Sequence, residues 1–274
     1  MQQHVKIAGI PIDPLTYDEA LIRIRHAVGG SVQEHWVTVN PEMVLRASAD
    51  PPFRDTLLGA TVRTADGVGI LWAARYLHSD KRPSGFSKCL WWLWSLVSIP
   101  ACSRRIHHPF PQRITGTDLM LKMAEASEKE DWTFFLLGAD EGVAEQAIEN
   151  ITRLYPWARF VGCHAGSSDP KDDQESLAKI NLAQPNILLV AYGSPAQEFW
   201  IRRNLPKLTT VRVAIGVGGA FDFHAGKVRR APLWMRKIGL EWLWRLLMEP
   251  SRIKRIWNAA VRFPLFIYGE SEKR

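Results

Sequence analysis

Cysteine is scarce in this chain. The 274 residues include three, Cys89, Cys102 and Cys163, an odd number with no Cys-x-x-Cys spacing. That argues against a disulfide framework or a cysteine zinc site, and it makes a reducing cytoplasm the expected compartment. Long apolar runs are also missing. The longest, around residues 89–99, falls far short of the ~20 residues that a spanning helix needs. The N-terminal stretch has no apolar region behind a basic start, so a secretory leader is not expected. Acidic residues are in deficit, 28 against 35 Lys and Arg, for a net charge of +7. A basic balance of this size points to phosphates, nucleic acid or an anionic membrane surface.

The most informative stretch is residues 211–232, VRVAIGVGGAFDFHAGKVRRAP. Val211, Val213, Ile215 and Val217 read as a buried parallel strand, and Gly216, Gly218 and Gly219 open its end to close backbone approach. Phe221 and Asp222 follow, then Lys227, Arg229 and Arg230, with Pro232 placed to begin a helix. Backbone donors, a carboxylate and a cluster of cations suit a phosphate-bearing substrate.

The rest of the chain repeats the theme of strand, glycine, helix. A first strand is expected over residues 5–12, then a helix capped by Thr16. The run His35-Trp-Val-Thr-Val39 delivers Thr38 and Asn40 to a strand end ahead of Pro41, where Asn40 can also cap the next helix. Residues 62–65 form a strand that delivers Asp66-Gly67 into a helix. Partial burial there would raise the Asp66 pKa toward that of a general base. Further strands end at Gly138 and at Gly193-Ser194-Pro195-Ala196-Gln197-Glu198. The alternation predicts an α/β fold, a Rossmann-like parallel sheet with flanking helices, followed by a C-terminal amphipathic helical appendage. In such sheets ligands lie beyond the carboxyl ends of the strands, so Gly138, Gly193, Gln197 and residues 218–222 are expected to converge on one crevice. The catalytic domain is placed at residues 1–230 and the appendage at 231–274.

Two segments break the pattern. Residues 78–112 carry Trp91, Trp92 and Trp94 between Lys and Arg, and residues 231–274 carry Trp234, Trp242, Trp244 and Trp257 among Arg236, Arg245, Arg252, Arg255 and Arg262. Tryptophan beside cations is the composition of a membrane interface, and equally of a core cluster with a solvated rim. The expectation is a peripheral membrane contact at both.

Taken together, Thr38-Val-Asn-Pro-Glu42, Asp66-Gly-Val-Gly69, Arg113-Ile-Thr-Gly-Thr-Asp-Leu119, Gly193-Ser-Pro-Ala-Gln-Glu198, Gly218-Gly-Ala-Phe-Asp222, Arg230-Ala-Pro232 and Gly239-Leu-Glu-Trp242 resemble the WecG/TagA/CpsF glycosyltransferases. The resemblance covers nearly the whole chain in register. It implies an inverting transfer from a UDP-sugar to an undecaprenyl-diphosphate-linked saccharide, peripheral at the cytoplasmic face of the bacterial plasma membrane, in surface-polysaccharide synthesis. It implies Asp66 as base with Thr38 and Asn40 beside it, Arg113 on the donor diphosphate, and Gln197 in the site. It assigns donor contacts to Gly67, Gly138, Gly193, Pro195, Glu198, Gly218, Gly219, Phe221 and Asp222. Arg230, Arg245, Arg252 and Arg255, with Trp91, Trp92 and Trp94, fall to the acceptor and membrane. The insert at 78–112 is longer than the family's usual connection. With no Asp-x-Asp pair in the chain, no metal and no cofactor are expected. No nucleic-acid partner is expected, and an exposed apolar appendage makes a homo-oligomer possible.

Two other classes compete. A nicotinamide-dependent oxidoreductase is suggested by Gly216-Val-Gly-Gly219, but the third glycine and the ribose-binding acid of that fingerprint are missing. A non-enzymatic membrane adaptor would account for the basic C-terminus and leave Asn40, Asp66 and Gln197 without a purpose.

Overall fold

A computed structural model describes residues 4–79, 86–98 and 109–272. The N-terminal apolar run is a two-stranded hairpin, β1 (Val5–Ile7) and β2 (Ile10–Ile12), and not the single strand expected. Ala8 and Gly9 both adopt positive φ, 49° and 78°, which turns the chain back within two residues. Helix α1 (Tyr17–Gly29) opens on a capping box in which Thr16 and Glu19 satisfy each other's backbone N–H. Then come β3 (Glu34–Val39), α2 (Pro41–Ala49), α3 (Pro51–Gly59), β4 (Val62–Ala65) and α4 (Val68–Leu77). After α5 (Phe86–Val97) and α6 (Gly116–Ala126) the alternation resumes with β5 (Thr133–Gly138), α7 (Val143–Leu154), β6 (Arg159–His164) and α8 (Asp173–Ala183). It ends with β7 (Ile187–Ala191), α9 (Ala196–Asn204), β8 (Val213–Gly216) and α10 (Ala220–His224).

Strands β3 to β8 form one parallel sheet in the order β4-β3-β8-β7-β5-β6. Both faces are covered, which is why its central strands read as nearly unbroken apolar runs. Trp36, Leu136, Leu189 and Ile215 pack with α1, α6, α7 and α10 on one face. Val37, Val39, Leu188, Val190 and Ala214 pack with helices α2, α4 and α9 on the other. Neighbouring strands β3 and β8 therefore send their following helices to opposite faces. A crevice opens where the two connections part.

The Trp-rich insert is only half what its composition suggests. Trp91 stacks on Tyr76 with ring centroids 4.9 Å apart, and Trp92 donates its Nε1–H to the Pro264 carbonyl at 3.3 Å. Trp72 reaches across from α4 to donate to Ser95 Oγ at 2.9 Å. Trp91 and Trp92 thus face the core, which corrects their assignment to a membrane contact. The reason is helical period: residues 91, 92, 95 and 96 share the inward face, while Leu90, Leu93, Trp94 and Val97 stand exposed on the other. The remainder of the insert, residues 80–85 and 99–108, lies outside the described residues.

The C-terminal segment comprises α11 (Leu233–Lys237), α12 (Glu241–Met248), α13 (Ile253–Trp257), a π turn over Asn258–Arg262, and α14 (Phe263–Glu270). Phe263 and Ile267 are fully buried in the cluster that also holds α2 and α4. Ile253, Trp257 and Leu265 on the same helical run are exposed. Among the described residues no helix is long and apolar enough to cross a membrane.

One buried cation ties the first half together. Arg63, on β4, sends its guanidinium to the carbonyls of Pro11 at 2.6 Å, Leu57 and Leu58 at 3.2 Å, and Ala60. Its own N–H donates to Asp13 at 2.7 Å. Replacing it leaves buried carbonyls with no donor, at about 1–3 kcal/mol for each that stays unsatisfied. Arg63→Ala should lower Tm by several degrees, read by thermal circular dichroism, whereas Arg153→Ala on the exposed face of α7 should leave it within a degree or so.

Candidate active site

Asp66 stands at the carboxyl end of β4, and its position is set by backbone. Its N–H donates to the Val39 carbonyl at 2.8 Å, and the next residue, Gly67, takes φ 89°, which a side chain would strain. Asn40 ends the adjacent strand and caps α2 by accepting the Met43 N–H at 3.1 Å. Both line a crevice of about 250 Å³, together with Gly67 and the arginines 113, 230, 245, 252 and 255.

Burial pushes the Asp66 carboxyl up to about 7. The Arg113 and Arg245 charges pull it back down, while Glu241 and Asp118 add to the rise. The balance leaves a carboxyl that exchanges its proton near neutrality, as a general base requires.

The arginines are already paired with the chain's own carboxylates. Arg113 donates to Glu241 at 3.1 Å. Arg230 makes a two-pronged contact with Asp118 at 2.6 and 2.7 Å, and Glu241 stands 3.8 Å from its Nε. Arg245 lies over the Phe223 ring at 4.7 Å and 3.8 Å from Glu249, which also pairs with Arg252. Arg255 meets Glu42 at 2.9 Å. The pairing with Arg230 overcomes burial and holds Asp118 below its usual range. These contacts hold the guanidinium groups in place around the crevice that Asp66 lines.

The structure divides the remaining site candidates. Thr38 is buried, and its hydroxyl donates to the Gly216 carbonyl at 3.1 Å, so it braces the end of β8 and does not line the crevice. Gln197 is 3% exposed and acts as a clamp: its Nε2 donates to Glu198 at 2.7 Å and its Oε1 accepts the Gly218 N–H at 3.1 Å. A methyl group on Gly216 would sit 2.5 Å from the Gln197 amide. Glu198 and Phe221 are fully buried. Gln197, expected as catalytic, and Glu198, expected as a donor contact, are buried and brace the turn at Gly218, while Phe221, expected as a donor contact, sits in the core. The physical cause is the parallel sheet, which brings the β7 and β8 ends side by side and leaves no room between them.

Gly138, Gly193 and Gly218 take positive φ of 104°, 74° and 56° at the ends of their strands, and Pro195 and Gly219 follow in the same turns. They border the strand ends without lining the 250 Å³ crevice. A Cβ on Gly219 would come within 3.8 Å of Arg245, and Asp222 is 4.0 Å from Lys227, which also meets Asp140. Arg230, Arg245, Arg252 and Arg255, expected at the acceptor or membrane, line the same crevice as Asp66, whereas Trp94 stands apart on α5. Sequence reasoning missed Glu42, Asp118 and Glu241 as partners. Each lies inside a motif already singled out, but its role depends on an arginine far away in the chain. Among the described residues no group of three or more His, Cys, Asp and Glu is placed to hold a metal ion.

The chain matches the sequence profile of the family described as "Glycosyl transferase WecG/TagA/CpsF family" over residues 5–89 and 97–274, leaving out the apolar middle of α5. A Staphylococcus aureus (strain MW2) protein is 30% identical over 266 residues, covering 96% of this chain and 91% of that protein. A Bacillus subtilis (strain 168) protein is 30% identical over 220 residues, 80% and 73% of the two. Both relatives are described as N-acetylglucosaminyldiphosphoundecaprenol N-acetyl-beta-D-mannosaminyltransferase. With the profile spanning nearly all of it and the relatives aligned along most of its length, the chain belongs to the WecG/TagA/CpsF family of glycosyltransferases.

Proposed function

We propose that this protein transfers a sugar, with inversion, from a UDP-sugar to a saccharide carried on a lipid diphosphate, working at the cytoplasmic face of a bacterial membrane. The carrying observation is one carboxyl, Asp66, held near neutrality by burial in a crevice walled by five arginines. The relatives' description as transferases to an undecaprenyl-diphosphate-linked sugar supports the acceptor class.

In this reading the ionised Asp66 takes the proton from the acceptor hydroxyl as that oxygen attacks the anomeric carbon from the face opposite the leaving group. The bond from that carbon to the donor diphosphate breaks, and the electron pair leaves on UDP. Arg113, Arg230 and Arg245 hold the charge that develops there, exchanging carboxylate partners for phosphate oxygens. Catalysis is then chiefly positioning and fixed electrostatics. Arginines supply the positive charge that a divalent cation supplies elsewhere, so the proposed reaction is metal-independent. The domain division falls at about residue 230, with α12 and α13 lining the crevice and the exposed Ile253, Trp257 and Leu265 resting on lipid. Self-association through that stripe is the expected state away from a membrane.

The test is UDP release in liposomes bearing lipid-diphosphate-linked saccharide, across a panel of UDP-sugars. Acceptor-dependent release from one donor, undiminished by a chelator, supports the reading. Equal release by Asp66→Asn would overturn the assignment of the base; the expected loss is roughly a hundredfold or more. In the unaltered protein kcat/KM should climb with pH through an inflection near 7 and flatten above it.

Stability should run the other way. With its folded pKa raised from 3.8 to about 7, Asp66 adds no cost below pH 4, where it is protonated in both folded and unfolded chains. The cost grows as pH rises through the interval and is complete above 7. Asp66→Asn should therefore melt a few degrees higher than the unaltered protein at pH 8, with the gain vanishing toward pH 4.

A further inference from the structure

A second groove, of about 400 Å³, adjoins the crevice between α2 and the C-terminal helical run. Glu42 lines both, and its ion pair with Arg255 is the partition between them. Beyond that partition the groove presents two cations, Arg46 and Arg262, and then the ring of Phe266. Arg46 is half exposed; it pairs with Asp50 at 3.3 Å and lies over the Phe53 ring at 5.9 Å. Arg262 donates to the Asn258 amide oxygen at 3.2 Å and has no carboxylate partner among the described residues. Leu265, next to Phe266, is 55% exposed and belongs to the apolar stripe with Trp257 and Ile253.

We propose that this groove seats the diphosphate of the lipid-linked acceptor, with Arg46 and Arg262 as its cations and the lipid chain leaving over Phe266 and Leu265. The inference rests on the function proposed above and names where its second substrate lies. Two diphosphates must be held at once, one departing with the nucleotide and one joining the acceptor sugar to its lipid. The crevice arginines around Asp66 serve the first. The second sits on the far side of the acceptor sugar, and like charge keeps it from sharing the same cations. Read outward from Asp66, the surface runs from polar crevice to paired Glu42 and Arg255, to the solvent-facing Arg46 and Arg262, to exposed apolar side chain. The acceptor has the same order: hydroxyl-bearing sugar, diphosphate, hydrocarbon. Neither Arg46 nor Arg262 touches the Asp66 crevice, so their removal leaves the chemistry intact.

The test uses Arg46→Ala, Arg262→Ala, the double variant and Arg46→Lys in the full chain. Rates are taken without vesicles, on a lipid-diphosphate-sugar bearing a short, water-soluble alkyl chain. Each alanine should raise the acceptor KM roughly tenfold and the pair further, the scale of a lost charge-assisted contact. Donor KM and kcat should hold within about twofold, and Arg46→Lys should recover part of the loss. An unchanged acceptor KM in the double variant, with the unaltered protein active, overturns the proposal. If that variant instead loses only sedimentation with vesicles of anionic phospholipid, the arginines serve lipid headgroups and the proposal also fails. Failure of the unaltered protein to turn over any acceptor tells against the function itself. Titration with a short-chain alkyl diphosphate then decides the groove alone: binding weakened by the double substitution supports it, and binding unaltered refutes it.

Discussion

A carboxyl group titrates near neutrality where burial and neighbouring carboxylates outweigh the pull of nearby cations. That condition at Asp66 organises much of this structure. The β4 strand must end where the crevice begins, Gly67 must turn at once, and the nearby arginines must be close enough to shape the field yet bound elsewhere. Glu241 and Asp118 meet the last requirement. By engaging Arg113 and Arg230 they keep those cations from forming a direct pair with Asp66, which would drive its pKa down.

Much of the fold was legible because a parallel sheet covered on both faces writes itself as short apolar runs ending in glycine. Strand β4 and helix α2 could be placed from these runs and from the caps at Asn40 and Thr16. The hairpin at Ala8-Gly9 was not legible, since an alanine at positive φ carries no turn signal. Composition placed tryptophan beside cations in α5 but said nothing of faces; only the helical period, once the helix is granted, separates Trp91 and Trp92 from Trp94. At the site, position along strand ends was readable and direction was not. Gln197 sits in a polar turn that looks solvent-facing, yet it points inward to a loop 21 residues later. Nothing local predicts that contact, nor the reach of Glu241 back to Arg113 across 128 residues.

The crevice arginines are held in place by the chain's own carboxylates, and for anion binding this has an electrostatic cost and a benefit. Each cation has a carboxylate within about hydrogen-bonding reach, so an arriving anion must displace a partner as well as water. A single weak charge gains little from such an exchange. A diphosphate, with several oxygens to offer several guanidinium groups at once, gains more, so the internal pairing favours polyanions over the simple anions of the cell.

Helix α14 gives the chain a different kind of constraint. Phe263 and Ile267 fill the same core cluster as α4 and as β3 and α2, the latter two made more than two hundred residues earlier. During synthesis that cluster therefore stays open until those side chains have left the ribosome. Because the helical run that closes this core also bears the exposed stripe of Ile253, Trp257 and Leu265, completing the fold and acquiring the apolar surface are a single event.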